Sequence, residues 1–339
     1  MIKTHSFYII GILLVILSIS MFFSVACSLI FSDGQLFPLL QSILITGSFG
    51  LILAFIFKSK KNVELSIHDG FAVVTLSWIC MVIFSAFPYY LSGLLSFTDS
   101  FFEAMSGLTT TGATILGYEN NPTIEEMPYS LLFWRSFTQF IGGMGIIVFS
   151  IAILPMLGVG GVQLFRAEVA GPQADKLTPR VKQTAKLLWG IYVGFVLLLC
   201  FILKIEGMPW FDAICHSFTT VATAGFSTKN NSIGAYSDII QWTIIIFMFI
   251  AGTNFSLHYF FISKGKFKYF KDEEFRIYSI LCIIFSTLFF INLINSDKYI
   301  LDLSTVRHSI FTTVSILTTT GFSTENFNAW PEMSKTLLF

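Results

Sequence analysis

The chain has 339 residues, 54% of them hydrophobic, 12% charged and 39 of them Phe, which is membrane composition. Twenty basic and twenty acidic side chains cancel to a formal net charge of zero, leaving none of the basic excess that a nucleic-acid partner requires. The five cysteines are scattered through apolar segments without metal-ligand spacing, so neither a disulfide framework nor a zinc site is indicated.

Apolar stretches long enough to cross the bilayer, which takes about 20 residues, fall at 7–30, 38–57, 70–91, 130–157, 186–205, 239–262 and 277–295. The first follows Lys3 and runs to Ile30, beyond the roughly 7–15 residues of a signal-peptide apolar region. Ser24-Val25-Ala26-Cys27 matches a lipoprotein cleavage site only loosely, and the segment is read as a retained helix. Between the spans, basic residues gather at Lys58–Lys61, Arg166–Lys186 and Lys264–Arg276, and with Lys3 these hold fourteen of the twenty Lys and Arg. Placing them in the cytoplasm satisfies the positive-inside rule with the N-terminus inside. The opposite side then carries thirteen of the twenty acids, and an acidic mouth concentrates cations.

Three polar stretches interrupt this apolar pattern on the acidic side: TTTGAT at Thr109–Thr114, ATAGFST at Ala222–Thr228 and TTTGFST at Thr318–Thr324. Thirteen residues before each glycine stand Asp99, Asp212 and His308. The segments between, such as SFFEAMSGL and AICHSFTTV, are too short to span and suit half-helices that stop inside the membrane. Non-helical backbone at that depth is tolerated only when it is buried in protein or lines a watery path. Glycine reaches positive φ without steric penalty, Thr adds a hydroxyl oxygen, and the half-helix directs its carbonyl end toward the turn. Together these suit coordination of a dehydrated monovalent cation by neutral peptide oxygens. One such turn alone reads as a helix stop; three in matched context read as pore loops.

Other signals are weaker. Gly158-Val159-Gly160-Gly161 looks like part of a dinucleotide fingerprint but follows a membrane helix rather than a strand, and is read as a helix exit. Gly142, Gly143 and Gly145 suit close helix packing. Arg135 is read in a structural role, snorkelling or pairing with an acid such as Glu103, His216 and His308 as polar helix-packing contacts, and Asn254 as an interhelical hydrogen bond or a contact to the pore interior. An intramembrane hydrolase would need a nucleophile and base or a HExxH pair, and His258 has no partner histidine four residues away. A coupled symporter would use broken helices and asymmetric ligands, unlike three loops of one type.

The residues of several stretches resemble one family closely: FFEAMSGLTTTGAT (Phe101–Thr114), WRSFTQFIGGMGIIVFSIAILPMLGVGGVQLFRAEVAGP (Trp134–Pro172), KLTPR (Lys176–Arg180), FDAICHSFTTVATAGFST (Phe211–Thr228) and AGTNFSLHY (Ala251–Tyr259). The chain resembles the TrkH branch of the TrkH/KtrB (Trk/Ktr/HKT) superfamily of potassium transporters over essentially its whole length. That resemblance implies an all-α polytopic membrane protein, with helix–pore loop–helix repeats around a pseudo-fourfold pore and an N-terminal helix pair. The implied layout is a helix pair at 1–68, a first pore repeat at 69–160, a cytoplasmic loop at 161–185, a second repeat at 186–263, a cytoplasmic loop at 264–276 and an incomplete third repeat at 277–339.

The resemblance also implies a filter whose K⁺-coordinating strands are Thr109, Thr110, Thr111, Gly112 and Ala113; Ala222, Thr223, Ala224, Gly225 and Phe226; and Thr318, Thr319, Thr320, Gly321 and Phe322. Potassium, with rubidium and poorly sodium, would be taken up across the bacterial inner membrane, without enzymatic activity or covalent cofactor. The family implies a homodimer with a cytoplasmic TrkA-type regulatory subunit, nucleotide acting only through that partner. The basic segments Arg166–Arg180 and Lys264–Arg276 are either topology signals or its docking surface. A fourth Thr/Gly loop and the family's gate loop are not found before Phe339, so the chain is expected to be C-terminally truncated, a fragment or partial reading frame. The alternatives are a non-conducting truncated membrane subunit and a sodium- or proton-coupled symporter.

Overall fold

In the computed structural model, residues 4–58, 67–145, 181–265, 267–296 and 299–338 are described. They are all-helical, with no strand among them. The predicted cytoplasmic loop at 161–185 and the Gly158–Gly161 run lie outside the described residues, apart from the helix start at Val181. Two compact units form: Met1–Thr109 with Ala113–Trp189, and Thr110–Gly112 with Gly190–Phe339. The tripeptide Thr110–Gly112 thus belongs to the second unit although its flanking residues belong to the first.

In the first unit α1 (Thr4–Phe31) pairs with α2 (Leu36–Ile56) and packs on α3 (Ile67–Ser85) and α6 (Tyr129–Phe140). The α1–α2 contact runs over glycines: a Cβ on Gly50 would come within 2.8 Å of the Gly11 carbonyl oxygen, and one on Gly11 within 2.6 Å of Ala54 N. Small residues that let backbones touch are the usual glue of membrane helices, where burial of apolar surface gives no drive. A short helix α4 (Phe87–Leu91) continues α3, and the two together supply the membrane-length span Ala72–Leu91. Then come the half-helix α5 (Phe97–Leu108) and α6, which passes into a π-helical turn at Ile141–Gly145. Gly142 sits there because a Cβ would strike the carbonyl oxygen of Leu108, the last residue of α5.

The second unit repeats the order. A long helix α7 (Val181–Ile205), which belongs to this unit from Gly190 onward, precedes the half-helix α8 (Trp210–Val221), then α9 (Asp238–Ala251) and α10 (Phe255–Lys264). Next, α11 (Glu273–Ile294) leads to the half-helix α12 (Leu303–Leu317) and a short α13 (Glu332–Leu337). At about 1.5 Å per residue, α5 and α8 are about 18 Å long and α12 about 22 Å, short of the roughly 30 Å hydrocarbon core. Helices α1, α2, α7 and α11 contain membrane-length apolar spans.

One predicted span is corrected. The continuous 239–262 is two helices, broken at Gly252–Asn254. A helix end inside a membrane leaves carbonyls that need donors, and here they have them. Thr253 Oγ1 and the Tyr278 hydroxyl donate to Phe249 O (3.0 and 3.3 Å), and His258 Nε2 donates to Ile250 O at 3.0 Å. Gly252 allows the turn to lie against the third Thr/Gly loop, where a Cβ would meet Thr318 Cγ2 at 2.6 Å.

Candidate functional site

Each half-helix ends in the same backbone sequence. The C-cap residues are Thr109, Ala222 and Thr318. The next residues, Thr110, Thr223 and Thr319, are left-handed (φ +54°, +48° and +58°), and two residues further Gly112, Gly225 and Gly321 are left-handed again (φ +77°, +78° and +82°). In the second and third loops the turn is a Schellman motif. Thr223 N donates to Thr220 O (3.0 Å) and Ala224 N to Thr219 O (2.9 Å); Thr319 N donates to Ile316 O (2.9 Å) and Thr320 N to Ser315 O (2.8 Å). Glycine or Asn normally occupies the left-handed position of this motif. A β-branched residue there is unusual and costs about 1–2 kcal/mol, so strain is held at three equivalent places.

The strands that follow meet in a fixed order. A Cβ on Gly112 would collide with the Ala224 carbonyl oxygen, and one on Gly225 with the Thr320 carbonyl oxygen. In each case the oxygen belongs to the residue before the next loop's glycine. The Gly321 Cβ position has no neighbour within 4 Å. Thr110–Gly112, Ala222–Phe226 and Thr318–Phe322 are therefore brought together as an arc of three, first to second to third. Thr109 donates its hydroxyl to Met105 O at 2.7 Å, as Thr318 does to Val314 O at 2.7 Å; Thr111 and Ala113 are exposed. Phe226 and Phe322 are 1% and 3% exposed, so both residues are packed into the protein, and the Phe322 carbonyl accepts from Ser315 Oγ at 2.7 Å. An apolar cavity near the helix break, about 360 Å³ and lined by Phe195, Phe249, His258, Tyr269 and Phe275 among others, has none of the loop residues in its lining.

Behind the loops lies a set of bonds that includes His216 and His308, which the sequence alone reads as helix-packing contacts. Thr228 Oγ1 donates to Asp212 Oδ1 at 2.7 Å. His216 Nδ1 lies 2.8 Å from Asp212 O; a carbonyl only accepts, so Nδ1 carries the proton and Nε2 accepts from Ser227 Oγ at 2.9 Å. In the third loop His308 Nδ1 is 2.8 Å from Thr324 Oγ1, with Nε2 3.2 Å from Glu325 Oε1. In the first, Thr114 Oγ1 donates to Glu103 at 3.0 and 3.1 Å, and Ile115 N donates to the same carboxylate at 3.1 Å. Arg135 Nε, on α6, forms the expected ion pair with Glu103, both side chains being buried. Asn254 bonds Glu274 at 3.3 Å. The signals that could have revealed the set were two offsets, nine and thirteen residues before the glycine; Asp99, at the second of these in the first loop, bonds Ser96 at 2.7 Å instead.

Membrane-length helices alternating with half-helices that end in left-handed Thr/Gly turns define a pore-loop membrane protein. The TrkH profile, "Cation transport protein", matches residues 37–339, and the chain belongs to this family. It is 38% identical over 337 residues to the "Trk system potassium uptake protein TrkH" of Vibrio parahaemolyticus, covering 97% of this chain and 68% of that one. Against TrkH of Escherichia coli K12 the identity is 39% over 340 residues, again 97% and 68%. Against TrkG of the same organism it is 34% over 328 residues, 95% and 66%. The crystal structure of the potassium transporter TrkH from Vibrio parahaemolyticus is similar with a TM-score of 0.85 at 35% identity, over 99% of this chain and 68% of that chain.

Proposed function

We propose that this chain is the ion-selective membrane subunit of a potassium uptake system, passing K⁺ and Rb⁺ in preference to Na⁺ down their electrochemical gradient. The observation that carries this reading is the packing of the Ala224 and Thr320 carbonyl oxygens against the glycine of the preceding loop. Backbone oxygens held this way replace an ion's hydration shell without a fixed charge that would retain it. The coordinating strands are Thr109–Ala113, Ala222–Phe226 and Thr318–Phe322, and a further loop of the same kind, lying beside Gly321, closes the ring.

The protein lies in the bacterial inner membrane with its N-terminus in the cytoplasm, a placement supported by fourteen of twenty Lys and Arg falling on one side. It acts as a homodimer with a TrkA-type cytoplasmic subunit that binds the nucleotide, and Lys264–Arg276 is part of the docking surface. The test is rubidium uptake by the full-length protein carrying this sequence, in a strain lacking its own potassium uptake. Replacing Gly112 and Gly225 by Val should abolish the preference for Rb⁺ over Na⁺; a retained preference would remove the filter assignment.

A further inference from the structure

We propose that Asp212, His216, His308 and Glu103 are positioning residues for ion selection: each accepts a hydrogen bond from the strand just past a loop glycine and so fixes where that strand's carbonyls sit. The inference rests on the filter reading above.

Two registers recur. Thirteen residues before the glycine, Asp212 and His308 each bind the Thr three residues after it, at 2.7 and 2.8 Å. Nine residues before it, Glu103 and His216 each bind the hydroxyl two residues after it, Thr114 at 3.0 Å and Ser227 at 2.9 Å. The chemistry of the pore-helix residue changes between loops, from carboxylate to imidazole, while its role as acceptor persists. His308 fits this because its Nε2 faces the Glu325 carboxylate at 3.2 Å and Ser304 Oγ at 3.1 Å; the carboxylate only accepts and the hydroxyl oxygen can accept, so Nε2 bears the proton and Nδ1 accepts from Thr324. In the third loop the residue two after the glycine is held instead from its neighbour: Ser323 N donates to Ser232 Oγ at 3.2 Å and Gly234 N to Ser323 O at 3.1 Å.

These bonds matter to ion choice because they anchor the segment just past each glycine; in the third loop Ser315 Oγ adds a bond to Phe322 O at 2.7 Å. Carbonyls that face an ion are not available for a backbone ladder. The segment is anchored before it by the helix-end turn, a Schellman motif in the second and third loops, and after it by the side-chain tethers. The left-handed Thr at each turn resists the conformation, and the tethers oppose its relaxation. Glu103 needs a counter-charge to remain an acceptor when buried, and Arg135 supplies it.

The experiment compares Thr228→Val, which keeps the shape and removes the hydroxyl, with Thr228→Ser, which keeps the hydroxyl, and pairs Asp212→Ala with Asp212→Asn. A second set, Thr324→Val and Thr324→Ser, probes the third loop. Rubidium and sodium uptake and protein abundance are measured in the full-length protein. Loss of one buried hydrogen bond is worth roughly a fivefold to tenfold change in an equilibrium, so the Val and Ala variants should lose about that much of the Rb⁺/Na⁺ ratio at unchanged abundance, and the Ser and Asn variants should recover it. Val variants that accumulate normally and keep the wild-type ratio overturn the proposal. So do Val variants that fail to accumulate at both positions while the Ser variants accumulate, since the hydroxyl then serves folding alone. A wild-type protein with no ion preference would instead remove the filter reading itself.

Discussion

The carbonyl oxygen of Thr320 occupies the space into which a side chain on Gly225 would grow. The two residues lie in different loops, almost a hundred positions apart in the chain, so one methyl group at Gly225 would push two strands apart. The Gly112–Ala224 contact repeats the arrangement, whereas a Cβ at Gly321 meets nothing within 4 Å. All three glycines are left-handed, so each Ala replacement carries about 1 kcal/mol of backbone cost, and only the first two add a collision. Gly112→Ala and Gly225→Ala are therefore expected to lower rubidium uptake and ion preference well below Gly321→Ala. Equal damage at all three would mean that another strand packs against Gly321 in the full-length protein, and would locate the closure of the ring.

Glu103 and Arg135 make a second prediction. Both are buried, at 0% and 1% exposure. Truncating one partner of such a pair leaves an unmatched charge and costs about 3–5 kcal/mol, whereas removing both costs far less. Arg135→Met should thus lower the melting temperature of purified protein sharply, and Glu103→Gln with Arg135→Met should recover most of the loss. If the double variant melts no higher than Arg135→Met, the charge pairing is not what α6 contributes to α5.

Much of this could be read from residues alone. The half-helices, the three loops and the Glu103–Arg135 pair follow from repeated spacing and from the cost of a buried charge. The tethers could not be separated from ordinary contacts, because a buried His or Asp on a half-helix satisfies the same sequence pattern whether it faces a neighbouring helix or its own loop. The break at Gly252–Asn254 was hidden for a different reason. Its flanks are mostly apolar, one donor that makes it tolerable, Thr253, lies in the break itself, and the others, His258 and Tyr278, are brought to it by folding back from the next segments.

Asp33, in the turn between α1 and α2, ties that helix pair to the start of α6. It accepts from Ser28 Oγ (2.5 Å), Gln35 N (3.2 Å) and Ser130 N (2.8 Å). Burial works to raise its pKa, but the hydrogen bonds from Ser28, Ser130 and Gln35 outweigh it and hold the carboxyl below its ordinary 3.8. A depressed folded-state pKa stabilises the protein above the unfolded value and ceases to do so as pH falls through the folded one. Asp33→Asn should therefore melt below wild type at pH 5 to 8 by a margin that shrinks once the pH drops under 3.8. A margin independent of pH would assign the effect to shape rather than charge.

His258 closes the break between α9 and α10. Its Nε2 donates to Ile250 O at 3.0 Å, and its Nδ1 accepts from the Tyr269 hydroxyl at 2.8 Å. Leaving a buried carbonyl short of a donor costs about 1–3 kcal/mol, while a hydrogen bond at a partly exposed loop is worth about 0.5–1.5 kcal/mol. His258→Phe should thus destabilise the protein by more than Tyr269→Phe, and His258→Gln, which can still donate to Ile250, should fall between. Because Gly252 at the same break lies against Thr318, His258→Phe is also expected to reduce rubidium uptake, with little change for Tyr269→Phe. Thermal unfolding in detergent and uptake at matched abundance measure both. Should Tyr269→Phe prove the more damaging in both assays, the segment at Tyr269 rather than the carbonyl at the break would be what His258 supports.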